Sequence, residues 1–244
     1  MKIPPLNLIN ANVITLNPNS PKAQDIFIKD GKIESVNQRV YSAKTIDLKG
    51  ATVIPGFIDA HYHLSNLGKF LENFNLVGID SPQKIANLIR EDLSKFPKGT
   101  WILGRGWDQT LWENGEFPFA KILDEITDDH PISLTRIDGH ALWANKRARQ
   151  ISGYEENPDL IPGGEVINNC IFIDNAMDSI KKYIPKLSEL DVIRYIENGI
   201  KQTVANGITG VHDAWQDSLI VNSIQKLVKK ERFPIRCYGM LNGN

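Results

Sequence analysis

The stretch Pro55-Gly56-Phe57-Ile58-Asp59-Ala60-His61-Tyr62-His63 decides the fold. Its apolar entry predicts a strand, and side chains on a strand alternate between faces. Asp59, His61 and His63 are therefore expected on one face, and Ile58, Ala60 and Tyr62 on the other. Two imidazoles at i and i+2 on a rigid strand can meet one divalent metal ion. Asp59, below them, would orient a ligand. The plain alternative is two ordinary histidines in a half-buried strand. The context weighs against it. An antiparallel sheet is expected before this stretch, and a Gly- and Asn-containing exit, Leu64-Ser65-Asn66-Leu67-Gly68, follows it. A histidine pair at the C-terminal end of a strand is where barrel enzymes keep their catalytic groups.

Upstream, Leu8–Leu16 reads as a strand. Asp25–Val36 reads as two strands around Asp30-Gly31, a dipeptide suited to the positive φ angles of a tight hairpin. Short apolar segments at Lys44–Leu48 and Ala51–Ile54 complete a small antiparallel sheet within residues 1–55.

Downstream, helices and strands alternate. Ser81-Pro82 opens a helix, with Ser as cap and Pro at the first helical position. Strands are expected at Trp101–Gly104 and Ile132–Ile137. A short helix is expected near Ala141–Gln150, and a hairpin around Asn168-Asn169. Ser188–Ala205 carries Leu190, Ile193, Ile196, Ile200 and Val204 at helical spacing. Ile208–His212, Ser218–Lys230 and Ile235–Leu241 then read as strand, helix, strand. That alternation means βα units and a parallel sheet.

Three blocks carry a family resemblance. Asp47-Leu48-Lys49-Gly50 with Val53 through His63 resembles the entry signature of the amidohydrolase superfamily. Gly104 through Trp112, then Phe117-Pro118, Leu123-Asp124 and Pro131 through Asn145, resembles the branch containing N-substituted formamide deformylases. Asn206 through Ala214 is similar to that branch's second barrel strand. The resemblance implies an α/β fold: a (β/α)8 TIM barrel preceded by a small β-sandwich. On that basis residues 56–244 are expected to be an incomplete barrel with an insertion near 80–180.

The resemblance also implies metal-assisted hydrolysis of a C–N bond in a small amide or N-formyl compound, with a divalent metal, usually zinc. His61 and His63 would ligate it, with Asp59 behind them. Arg136, Asp138 and His140 would reach the substrate pocket, although His140 could equally make a structural hydrogen bond at a helix start. Of His212 and Asp213, adjacent on a strand, at most one points inward; His212 is favoured, the alternative being a hydrogen-bonded core histidine. Tryptophans could line a pocket or simply pack in a core; Trp107 and Trp112, which flank Asp108-Gln109 in a loop-like stretch, are expected to wall the pocket. His130, in an acidic turn, is expected at the surface. The family's general-base Asp and further histidines are expected beyond residue 244. The chain holds 244 residues, whereas eight barrel strands need ~250 after the first sheet. The alternatives are thus an inactive fragment, or a subunit completed by a partner chain or another copy. Gly163-Gly164-Glu165 runs straight into the hairpin, shorter than the branch's usual form.

Composition agrees with an enzyme of small molecules. Lys and Arg number 28 against 29 Asp and Glu, net −1. This excludes binding of nucleic acid or anionic membrane by bulk charge. The 2 cysteines, Cys170 and Cys237, are too few for a disulfide framework. Without a secretory leader or a long apolar run, a cytoplasmic protein is the expectation.

Overall fold

The computed structural model describes residues 4–154 and 161–243. Two compact units divide the chain: residues 1–63 with 200–244, and residues 64–199. This differs from the expected division after residue 55. The His-x-His strand groups with the N-terminal sheets, and the insertion belongs to a unit of its own.

The first unit opens with β1 (Leu6–Ile9), β2 (Asn12–Ile14), β3 (Lys22–Ala23), β4 (Ile26–Lys29), β5 (Lys32–Val36), β6 (Lys44–Asp47) and β7 (Thr52–Val53). They form two small sheets, ordered β5-β4-β1-β6 and β3-β2-β7. Ala11, Val13, Ala23 and Ile26 make their shared core, with Leu8, Ile28, Leu48 and Val53 packed around it. The β4–β5 hairpin turns at Asp30 and Gly31, both at positive φ (49° and 75°), as a tight primed turn requires. The sheets are mixed rather than purely antiparallel. β6 runs parallel to β1, and β7 parallel to β2, because long connections rather than hairpins join them. Next comes β8 (Phe57–Tyr62).

The second unit contains α1 (Leu64–Glu72), β9 (Phe74–Asn75), α2 (Pro82–Asp92), β10 (Ile102–Trp107), α3 (Ala120–Asp124), β11 (Ile132–Arg136), β12 (Ala141–Ala144), α4 (Lys146–Ile151), β13 (Gly164–Ile167), β14 (Ile171–Asp174) and α5 (Asp178–Lys181). Its sheet is ordered β13-β14-β12-β11-β10-β9. One face buries Leu76, Ile85, Ile89, Ile102 and Leu134. Leu142, Ala144, Phe172 and Ile180 form a second core. The β13–β14 turn places Asn168 and Asn169 at φ 52° and 53°, the conformation that Asn tolerates best after Gly.

The exit Leu64–Gly68 is the start of α1, and two expectations are corrected in this unit. Gly68 is there for closeness: a Cβ on it would overlap the Tyr195 carbonyl. Ala141–Ala144 is a strand, not a helix. All four of its residues are buried between β11 and β14, so sheet burial overrides alanine's helix preference. The helix α4 starts only after Asn145, whose side chain caps it at Ala148 N (3.0 Å). His130 is not at the surface. It is 6% exposed, and its Nδ1 lies 3.0 Å from the Thr100 carbonyl.

The division between units falls within α6 (Glu189–Ala205). Ser188 and Asp191 cap it reciprocally, Asp191 N to Ser188 Oγ at 3.2 Å and Ser188 N to Asp191 Oδ2 at 2.9 Å. β15 (Ile208–Gln216), α7 (Ser218–Lys229) and β16 (Arg236–Leu241) follow. β8, β15 and β16 form a parallel sheet with β15 central, as the βα alternation predicts. No helix among the described residues is long and apolar enough to cross a membrane.

Candidate metal and substrate site

Of three register shifts in the β8-β15-β16 sheet, two decide which side chains around the histidines share a face. In register, Val211 opposes Asp59 and Asp213 opposes Tyr62. Three steps on β8 thus match two on β15, and the alternation slips by one. Asp59, Tyr62, Val211 and Asp213 share one face. His61, His63 and His212 share the other. The expectation that Asp59 lies beneath the imidazoles is corrected by this bulge. Asp59 Oδ1 instead accepts the His61 backbone N–H at 3.0 Å, so it holds the strand rather than a ring.

The Asp59 face is the buried one. Val211 and Asp213 are each 2% exposed. The Tyr62 hydroxyl meets Thr203 Oγ1 of α6 at 2.9 Å. Asp213 Oδ2 accepts from Gln216 Nε2 at 2.8 Å. His212 lies on the opposite, open face, its ring 5.3 Å from that of Tyr238.

His61 and His63 have ring centroids 5.1 Å apart, edge to face. His63 Nδ1 lies 3.2 Å from the Ala214 carbonyl oxygen. A carbonyl only accepts, so Nδ1 carries the proton and Nε2 is left with its lone pair. That tautomer leaves Nε2 of His63 able to donate to a metal, with the ring held from behind by a carbonyl. His61 and His63 could thus each offer an imidazole nitrogen to a divalent ion. No group of three or more His, Cys, Asp or Glu positioned for a metal occurs among the described residues.

The second unit holds its own polar cluster. Arg136 grips Asp138 with two donors, Nη2 to Oδ2 and Nε to Oδ1 at 3.1 Å. Asp138 Oδ1 also accepts the His140 backbone N–H at 3.0 Å. The Arg136 bond lowers the Asp138 pKa to about 2, against a smaller opposing effect of burial. His140 Nδ1 meets Asp174 Oδ1 at 2.8 Å. Asp174 was not foreseen: only the pairing of Ala141 with Ile173 brings the two strand ends together. Asp174 also has φ 46°, unusual for a residue with a Cβ.

Trp107 and Trp112 do not wall a pocket. They are 0% and 5% exposed and stack at 5.9 Å in the second unit's core. Each indole N–H already has a carbonyl partner, Leu134 at 2.8 Å and Ile79 at 3.1 Å. Burial of large rings with satisfied N–H groups is ordinary core packing. Trp215, overlooked in the sequence, is the indole nearest the histidine pair, 5.7 Å from His63.

Among solved structures, the chain resembles a metal-dependent hydrolase of Pyrococcus horikoshii OT3, with TM-score 0.76 and 23% identity over 97% of this chain and 48% of that one. A second, from Pyrococcus furiosus, gives TM-score 0.75 at 22% identity, over 97% of this chain and 50% of that one. These likenesses define the fold. The amidohydrolase family model matches residues 44–243, and the chain belongs to that family. The putative amidohydrolase YtcJ of Bacillus subtilis (strain 168) is 27% identical, covering 94% of this chain and 47% of its own length. The N-substituted formamide deformylase of Arthrobacter pascens is 29% identical, covering 66% of this chain and 31% of its own. The chain spans about half the length of the first of these relatives and about a third of the second.

Proposed function

We propose that this chain contributes to metal-dependent hydrolysis of the carbon–nitrogen bond of a small amide or N-formyl compound. The carrying observation is the His63–Ala214 bond beside His61, which leaves Nε2 of His63 able to bind a cation. His61 and His63 would hold the ion, zinc by its preference for imidazole. When bound, such an ion lowers the pKa of a coordinated water to about 7 and polarises a carbonyl. The bulge at Asp59, whose carboxylate accepts the His61 N–H, sets both rings on the opposite face. His212, on that face, is available to hydrogen-bond substrate. The family resemblance assigns substrate contacts to Arg136, Asp138 and His140. Asp138 orients the Arg136 guanidinium, and Asp174 leaves Nε2 of His140 free to exchange a hydrogen bond.

The relatives named for amidohydrolase and deformylase activity support this reading. Equilibrium dialysis against zinc, with a hydrolase assay on small amides and formamides, tests it. Zinc uptake that needs both histidines, with zinc-dependent turnover, is expected. A folded chain that neither takes up zinc nor turns over any of them sinks it.

A second reading, completion by a partner chain or another copy, is favoured by exposed apolar groups on the sheet's edge strands. Phe57 and Ile58 on β8 are 57% and 64% exposed, and Tyr238 and Leu241 on β16 66% and 70%. Light scattering that finds only monomer at tens of micromolar would count against self-association.

A further inference from the structure

The second bulge of the sheet has an effect of its own. Asp213 opposes Gly239 and Gln216 opposes Leu241 on β16, so three steps on β15 match two. Gln216 returns to the buried face, where it is 5% exposed and bonded to Asp213. Trp215 is thereby turned over. In an unbroken strand it would share the face of Val211 and Asp213; with the bulge it joins His61, His63 and His212. Bulges beside active sites commonly serve to re-aim one side chain.

The backbone at that point is unfavourable for tryptophan. Trp215 sits at φ 58°, a left-handed conformation that a bulky residue rarely adopts. Its ring is 73% exposed. By contrast Trp107, Trp112 and Trp143 are buried. The neighbours on either side are tied down: the Ala214 carbonyl holds His63, and the Gln216 carbonyl accepts from Asn242 N at 2.9 Å. A strained backbone that spends its distortion on placing an indole in water, tilted 37° to the His63 ring, points to function rather than packing.

We propose that Trp215 is a stacking wall that selects substrates with a planar aromatic or conjugated group next to the scissile carbonyl. This rests on the metal-site reading of His61 and His63. Its indole N–H, with no protein partner among the described residues, adds a donor that aliphatic selectivity would not need.

The test is binding of benzamide, cyclohexanecarboxamide and acetamide to the full chain by saturation-transfer NMR, with and without zinc. Benzamide should bind roughly three- to tenfold tighter than cyclohexanecarboxamide, the range of an aromatic pair. Trp215→Phe should keep most of that preference. Trp215→Gly should abolish it without lowering the melting temperature, since glycine accepts this φ. Trp215→Ala serves if the glycine variant does not fold. Equal affinities, no benzamide binding, or a preference surviving in Trp215→Gly or Trp215→Ala overturns the proposal. Zinc dialysis of the same samples separates the two claims. Zinc retained without aromatic preference removes only the stacking wall. Aromatic preference without zinc uptake removes only the metal site.

Discussion

His63, just past the end of β8, donates its Nδ1 proton to the Ala214 carbonyl of β15, across 3.2 Å. Residues far apart in sequence thus fix one tautomer. Long-range proton–nitrogen NMR of the neutral ring should show Nδ1 protonated and Nε2 bare. A protonated Nε2 in the metal-free chain would contradict the assignment.

The Arg136–Asp138 pair predicts an acid-side stability effect. The Asp138 pKa falls from the ordinary 3.8 to about 2. A carboxylate depressed on folding stabilises the native state above its unfolded pKa, and that contribution is lost as pH falls through its folded pKa. The window is therefore about pH 4 down to about pH 2. The Asp138 side chain is 36% exposed, so solvent screening limits the effect to about 1 kcal/mol or less. Asp138→Asn should flatten urea-derived stability across that window. An unchanged slope would show that the pair does not form in solution.

Gly68→Ala tests the α1–α6 crossing. The new methyl would meet the Tyr195 carbonyl, a backbone atom that cannot rotate away. Overpacking of this kind costs about 1–3 kcal/mol. Calorimetry should show a lower melting temperature. A wild-type value would mean that the helices cross elsewhere.

Trp107→Ala should act on stability first. The ring is 0% exposed and bonded to Leu134, and deleting a buried tryptophan costs about 3–5 kcal/mol. Denaturant titration checks this. A stable variant altered only in amide binding would restore the pocket-wall role.

Burial pushes the Cys170 thiol up to about 12, so little thiolate exists at pH 8. Cys170 should resist a disulfide reagent in the native chain and react on unfolding. Rapid native labelling, mapped by mass spectrometry, would contradict the burial.

Much of the fold was legible because its signals are local. Asp30-Gly31 and Asn168-Asn169 specify turns by their tolerated φ, and Ser81 and Ser188 mark helix starts by capping. What escaped depends on contacts between distant segments. Gly68 resembles loop glycine until Tyr195 lies against it. Ala141–Ala144 has helical residues but central-strand burial. The His pair was visible as a motif. Its relation to Asp59, and the approach of Trp215, were not, because a bulge is a property of two strands in register. Asp174 stayed hidden for the same reason.

The central claim is that His61 and His63 together bind a divalent cation. Equilibrium dialysis of the full chain against micromolar zinc tests it most directly. The account predicts uptake of about one ion per chain, lost in both His61→Ala and His63→Ala while circular dichroism is unchanged. Uptake undiminished in the two folded variants, or absent from the wild-type chain, would contradict it.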